Sequence, residues 1–431
     1  MEPVHARGGL RIAYAQFGEQ SGVADHVTEA LEARGHRVIP VFGRGPLELR
    51  NRLTGLPRLT APVVLHLAAA AARFGSQTLA YRWNTPYAFE VHSRWVGELV
   101  AGLPLAPDVV LQNGALFSPG RPPPYPYVIY LDQTRALAER ARAHPSAGLP
   151  APPRWGEDWR QHEGAAYREA AAVVAFSRRA ARSVVEDYGV DLGRVHVVGA
   201  GANVVPDEVE RHDDGNTILF IGREFERKGG RVLLDAFARL RQTRPGVRLL
   251  IVGPRRLEVM PHGVLQLGPE PLAAIPGLLA QATVFTLPTL AEPFGLAFLD
   301  AMACAVPCVG TEVDSVPDII EHGRTGLLVP PGDAAALARA LGALLVDRDR
   351  AREMGARGRE RVMAHFTWGR VARRLAEVLR SAALPVRTES SRPARSRSVP
   401  DERSAVPDKR SGFSTRAQFP LERGEGVAGR G

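Results

Sequence analysis

A chain of 431 residues is too long for one ordinary domain and suits two, each with its own core, plus a tail. Hydrophobic residues at 45% and charged residues at 23% exclude a chain disordered throughout and a membrane-embedded body. The formal net charge of +9 argues little for nucleic acid, because ten Arg and Lys against six Asp and Glu from Arg387 onward leave the rest only mildly basic.

Almost all positive charge is arginine. Lysine occurs only at Lys228 and Lys409, so Lys228 is the single lysine ahead of the tail. Cys304 and Cys308 lie four apart in an apolar segment without a His or Cys cluster, which predicts two buried free thiols rather than a disulfide or a zinc site. The apolar stretch Ala61 to Ala72 falls short of the roughly 20 residues of a spanning helix. The opening residues, with Glu2, His5 and Arg7, lack the pattern of a targeting segment. The expected location is cytoplasmic, with peripheral contact at the inner membrane face left open by the basic tail.

In chain order, the apolar run Leu10 to Ala15, the small-residue loop Phe17 to Gly22, a periodic Val27 to Ala33 and the run Val38 to Phe42 predict strand, loop, helix, strand. Further strand-length runs follow at Val109 to Leu111, Tyr127 to Leu131, Ala172 to Phe176 and Val195 to Val198. A second series starts with Thr217 to Ile221, passes through a helical Arg231 to Arg241, and continues at Arg248 to Val252, Val264 to Leu267, Val284 to Leu287, Pro307 to Val309 and Gly326 to Val329. Such alternation predicts an α/β protein of two doubly wound, Rossmann-like domains facing each other across a cleft. The expected divisions are 1–205, 206–365, a final helix over 366–383, and a disordered tail over 384–431, rich in Ser, Arg, Pro and Gly.

Two strand-end loops carry the chemistry. The strand Thr217 to Ile221 runs into Gly222, Arg223 and, after four more residues, Lys228-Gly229. Glycine allows close backbone approach, while the planar fork of Arg223 and the compact charge of Lys228 suit a diphosphate. After Val284 to Leu287 comes Glu292-Pro293-Phe294-Gly295-Leu296, near the start of a helix that continues through Asp300. The amides there suit an anion, and acids eight positions apart, roughly 12 Å along a helix axis, are spaced to hold hydroxyls on either side of a diphosphate. In the first half, Ser21 and Gly22 follow the first strand and are placed to donate to phosphates. Asp132, at the end of Tyr127 to Leu131, is either a catalytic candidate or a helix cap before Thr134. Glu163, His162 and His92 carry weaker signals as cleft-facing groups. No Gly-x-Gly-x-x-Gly run follows the first strand, against a dinucleotide-dependent dehydrogenase. The only Asp-x-Asp, Asp347 to Asp349, lies between helical segments and predicts a turn rather than a metal site.

These motifs, with the segment Ile319 to Asp333 and Phe366-Thr367-Trp368 ahead of a final helix, resemble the retaining glycosyltransferases of family 4, the group 1 transferases with the GT-B fold. The resemblance covers about Val173 to Leu379 well and the first 170 residues only in strand order. It implies transfer of a sugar from a nucleotide-diphosphate donor to a glycan, lipid or small-molecule acceptor, with retention, without a metal and without a further cofactor. It implies that Arg223 and Lys228 neutralise the donor phosphates, that Glu292 contacts the transferred sugar, that amides near Phe294 and Gly295 face donor oxygens, and that Asp300 takes the ribose hydroxyls. At Asp132 many relatives carry a histidine facing the sugar. Asp300 and Asp318 stand where glutamate is usual, and Asp314 with Ser315 where glycines are frequent, which marks an outlying subfamily. The competing reading is a non-catalytic sugar-nucleotide binder of the same fold. An epimerase or phosphorylase fits the Glu-Pro-Phe-Gly-Leu helix start less well.

Overall fold

The alternating apolar runs become two parallel sheets. In the computed structural model, which describes residues 8–17, 22–42, 45–49, 57, 60–120, 122–142, 155–254 and 261–383, the first sheet comprises β1 (Arg11–Gln16), β2 (Arg37–Phe42), β3 (Val109–Asn113), β4 (Tyr127–Leu131), β5 (Ala172–Ala175) and β6 (Val195–Val197). Its order is β2-β1-β3-β4-β5-β6, with every pair parallel and Ile12 opposite both Val38 and Val109. Every residue of β3 and β4 is buried, because helices cover both faces, and this is why these strands are apolar throughout rather than alternating. The second sheet comprises β7 (Thr217–Ile221), β8 (Arg248–Val252), β9 (Val264–Gly268), β10 (Val284–Leu287), β11 (Cys308–Thr311) and β12 (Gly326–Val329), in the order β12-β11-β10-β7-β8-β9 and again all parallel.

With the first sheet go α1 (Val23–Glu32), α2 (Ala61–Phe74), α3 (Thr78–Tyr81), α4 (Pro86–Ala101), α5 (Arg135–Arg142), α6 (Gly156–Glu169) and α7 (Arg178–Tyr188). With the second go α8 (Gly230–Thr243), α9 (Ile275–Gln281), α10 (Leu296–Ala303), α11 (Val316–Ile319), α12 (Ala334–Val346) and α13 (Arg348–His365). The last helix, α14 (Trp368–Ala383), returns to the first half, packing on α1 and on β3 to β5. Its first residue, Trp368, stacks on His26 with ring centroids 5.6 Å apart. Among the described residues no helix is long and apolar enough to cross a membrane.

Local chemistry sets the helix ends. Ser177 caps α7 by accepting the Ala180 amide at 3.1 Å, and Gly189 closes it in the left-handed conformation. The first helix starts at Val23, four positions before the predicted periodic segment, because Gly22 at φ 75° turns the chain and Val23 is already buried. The Asp-x-Asp segment is not a turn. Asp347 is the single residue between α12 and α13, and its Oδ1 caps the second by accepting the Arg350 amide at 3.0 Å.

Candidate functional site

The order of the second sheet locates its crevice. From β7 the chain goes to β8 and β9 on one side, then crosses to β10, β11 and β12 on the other. Neighbouring strands β7 and β10 therefore send their following loops in opposite directions, and between such loops an open α/β sheet leaves room for a ligand. Those two loops carry Gly222 to Gly229 and Pro288 to Gly295.

The loops touch because their glycines permit it. A Cβ on Gly229, at φ 76°, would stand 1.8 Å from the Pro288 carbonyl oxygen, and one on Gly222 would meet the Lys228 stem at 3.0 Å. With that approach, Lys228 Nζ reaches Glu292 Oε2 and donates to it. Arg227 lies 3.8 Å from the same oxygen and donates to the Ala291 carbonyl at 2.6 Å, while its fork grips Glu224 with two bonds of 2.9 Å. Burial alone would lower the Arg227 pKa, but Glu224, Glu292 and Asp132 together raise it. Arg223 is exposed and makes no side-chain hydrogen bond or ion pair among the described residues. The loops thus hold one free guanidinium, one engaged guanidinium and one ammonium beside a carboxylate that is 4% exposed.

Glu292 is also held from behind. Its amide donates to Asp314 Oδ2 at 2.8 Å, and Arg179 of the first half stands 3.4 Å from Asp314 Oδ1. Asp314 adopts φ 47°, a left-handed backbone that is uncommon for a residue other than glycine. Pro293 lies ahead of α10 rather than in its first turn. Gly295, at φ 111°, ends the loop, and the helix starts at Leu296. The Phe298 amide donates to the Gly295 carbonyl at 3.0 Å, while the Leu296 and Ala297 amides at the start of the helix have no intrahelical acceptor and so remain available to an anion. The Phe294 ring is committed to packing: it meets Phe176 edge-on at 5.5 Å and Phe366 at 6.5 Å.

From the first half, Asp132 faces this assembly. It is open to solvent, yet the surrounding protein and the Glu292 charge raise its carboxyl, against the pull of Arg135 and nearby amides. The capping role falls to Thr134, whose Oγ1 accepts the Leu137 amide at 3.2 Å. Gly22 precedes α1 in the left-handed conformation, while Ser21 lies outside the described residues. Glu163 is buried, accepting from Tyr167 at 2.9 Å, Tyr188 at 2.5 Å and the Arg135 amide at 3.1 Å, so it braces α5, α6 and α7. His162 sits 3.1 Å from Glu90, and His92 is buried in an aromatic cluster with Phe17 and Trp83.

Asp300 is 7% exposed and has no cationic partner among the described residues. Its Oδ1 accepts the amides of Asn203 at 2.7 Å and Val204 at 3.0 Å, both in the segment joining the two sheets. Burial raises the carboxyl to about 7.

Residues 215–347 match the family described as Glycosyl transferases group 1. The chain is 34% identical over 257 residues to alpha-maltose-1-phosphate synthase of Mycolicibacterium smegmatis, a stretch covering 51% of this chain and 66% of that protein. It is 34% identical over 246 residues to D-inositol 3-phosphate glycosyltransferase of Nocardia farcinica, covering 50% and 53%. The chain belongs to the group 1 glycosyl transferases. The match spans between about half and two thirds of the length of these relatives. Among solved structures, the sucrose-phosphate synthase of Thermosynechococcus elongatus superposes with a TM-score of 0.61 at 20% identity, over 86% of this chain and 98% of that one. HepE of Anabaena in complex with UDP-glucose gives a TM-score of 0.58 at 15% identity, over 86% and 100%. The shared architecture is the GT-B fold.

Within this group 1 chain, several residues at the site escaped the motif reading. Arg227 is adjacent to Lys228 in sequence but outside the Gly-Arg and Lys-Gly pairs that draw attention. Asp314 and Ser315 drew notice only as departures from glycine. The Ser315 hydroxyl donates to the Pro293 carbonyl at 2.8 Å and meets Ser177 Oγ at 2.8 Å, tying the Glu292 loop to the start of α7. No sequence signal pairs positions 138 apart.

Proposed function

We propose that this chain is a glycosyltransferase that moves a sugar from a nucleoside-diphosphate donor to an acceptor, with retention and without a metal. The observation that carries the reading is the Lys228 to Glu292 ion pair, with Arg223 on the same loop as Lys228, at the carboxyl ends of neighbouring strands β7 and β10. Arg223 and Lys228 neutralise the donor phosphates, and the amides of Phe294, Gly295 and Leu296 complement them at the positive end of α10. Glu292 holds hydroxyls of the transferred sugar, and Asp300 takes the ribose. Gly222 keeps the phosphate loop close, Pro293 shapes the turn into Gly295, and Ser21 with Gly22 donate to phosphate from the opposite wall. Asp132 stands on the acceptor side, where its charge and that of Glu292 flank an electron-deficient anomeric carbon.

In this scheme the bond from the anomeric carbon to the phosphate oxygen breaks as the acceptor oxygen bonds to the same face. The acceptor proton passes to the departing phosphate oxygen, and Arg223 and Lys228 stabilise the charge that develops there. HepE of Anabaena, known in complexes with UDP and with UDP-glucose, supports a nucleotide-sugar donor. The acceptor is a glycan, lipid or small molecule reached from the first half. A cytoplasmic location with contact at the inner membrane face belongs to the same proposal.

One observation favours a second reading, a nucleotide-sugar binder without turnover: where the resemblance implies a histidine facing the sugar, the chain has Asp132, a carboxyl that desolvation by the surrounding protein raises. A thermal-shift comparison with UDP, GDP, ADP and dTDP, beside Lys228→Ala, tests the donor site. A shift with one nucleotide that vanishes in the variant, followed by transfer or slow hydrolysis of the matching nucleotide sugar, supports the enzyme. Binding without any glycosidic product across a donor and acceptor screen supports the binder, and no shift at all defeats both.

A further inference from the structure

We propose that Asp300 is a positioning residue that couples nucleotide binding to the segment joining the two halves. The proposal rests on the donor-site reading above. Four hydrogen bonds meet at residues 202 to 204. The Ala202 amide donates to the Phe366 carbonyl at 2.8 Å, at the entry to α14. The Asn203 side chain accepts from Trp368 Nε1 at 3.2 Å. The Asn203 and Val204 amides both donate to Asp300 Oδ1, at 2.7 and 3.0 Å.

The connecting segment is therefore gripped on one side by the helix that returns to the first half and on the other by α10 of the second half. Asp300 is the only side chain from α10 in that grip among the described residues, and its Oδ2 has no protein hydrogen bond there. One carboxylate oxygen serves the connector and the other is left for a ligand hydroxyl. The helix that carries Asp300 begins at Leu296, four positions after Glu292, and its eight residues form a short rigid rod. A ribose hydroxyl that fixes Oδ2 fixes Oδ1 as well, and with it the two connector amides. An aspartate at this position, one methylene shorter than glutamate, keeps its carboxylate close to its own backbone, and here it meets the connector.

Residue-resolved hydrogen exchange on the full chain tests this. Without nucleotide, the Asn203 and Val204 amides exchange at least about tenfold faster in Asp300→Ala than in the wild type, because a buried acceptor has gone. Asp300→Asn keeps an acceptor oxygen and retains most of the protection. UDP, GDP, ADP and dTDP are then added in turn. The nucleotide that binds slows these two amides further in the wild type and leaves them unchanged in Asp300→Ala. Equal exchange at both amides in the wild type and Asp300→Ala, without nucleotide, overturns the anchor. A nucleotide that binds, by thermal shift, yet leaves the wild-type amides unaltered overturns the coupling. Absence of binding by all four nucleotides overturns the coupling together with the donor-site reading, and the nucleotide-free comparison still decides the anchor.

Discussion

Arg178 and Asp318 join the two halves of the chain through three bonds on one carboxylate. Asp318 Oδ2 accepts the Arg178 amide at 3.0 Å, and Oδ1 accepts its Nε at 3.0 Å and Nη2 at 2.9 Å. The pair sits beside the Ser177 to Ser315 contact and the Arg179 to Asp314 pair, so three successive residues at the start of α7 meet α11 and the loop that leads into it.

Because Arg178 is 43% and Asp318 22% exposed, solvent screens the side-chain part of the contact. A double-mutant cycle of Arg178→Ala and Asp318→Ala in urea is expected to give a coupling of about 0.5–1 kcal/mol. A coupling indistinguishable from zero would mean that the fork does not help to hold the halves.

Lys228→Ala leaves Glu292 buried without its ammonium and removes a donor from the proposed phosphate site. Transfer should fall by about 100-fold or more, the scale seen when one transition-state donor is removed. Glu292→Gln should cause a comparable loss with nucleotide affinity largely kept, since that side chain is assigned to the sugar. Near-normal turnover in either variant argues against the assignment.

Trp368 is 8% exposed, stacks on His26 and bonds to Asn203. Trp368→Ala should cost about 3–5 kcal/mol, combining lost transfer energy with a cavity between α14 and α1. Trp368→Phe, which keeps most of the stacking, should recover more than half of that. If both variants match the wild type in thermal unfolding, the returning helix is not a brace.

Stability should depend on pH through Asp300. Burial sets its carboxyl at about 7, with the Asn203 and Val204 amides pulling downward and the Cys304 thiol its other titratable neighbour. The folded value lies above the unfolded value of about 3.9, so between them the folded chain binds more protons. Its contribution is therefore most favourable below about pH 4 and is lost as pH rises through about 7. At about 1.4 kcal/mol per unit the loss is on the order of 4 kcal/mol. The difference in Tm between pH 5 and pH 8 should change in Asp300→Asn by the removal of this component. Identical differences in variant and wild type would contradict it.

Both thiols should be inert in the folded protein. Cys304 and Cys308 are buried and unpaired, and burial pushes the Cys304 thiol up to about 11 and Cys308 higher still. Alkylation by iodoacetamide at pH 8 should label neither until denaturant is added. Labelling of either cysteine in the native protein would show that the segment around α10 opens locally.

The sequence determined the class of fold and the two loops that carry the chemistry, because both are recorded over short distances. Runs such as Tyr127 to Leu131 and Thr217 to Ile221 announce strands buried on two faces, and a lone lysine following a strand announces a strand-end site. Lys228 and Glu292 could be named separately, but not their ion pair, which needs β7 and β10 to be neighbours. The partners of Asp300 lie 97 and 96 positions away and are backbone amides, which no residue type advertises. The ring of Phe294 packs against Phe176 and Phe366, while only its amide belongs to the proposed donor site. Arg178 and Asp318 stand 140 positions apart. Periodicity and loop chemistry act over a few residues and survive as pattern. Contacts between the two halves depend on how the assembled layers meet, and only the tertiary structure decided them.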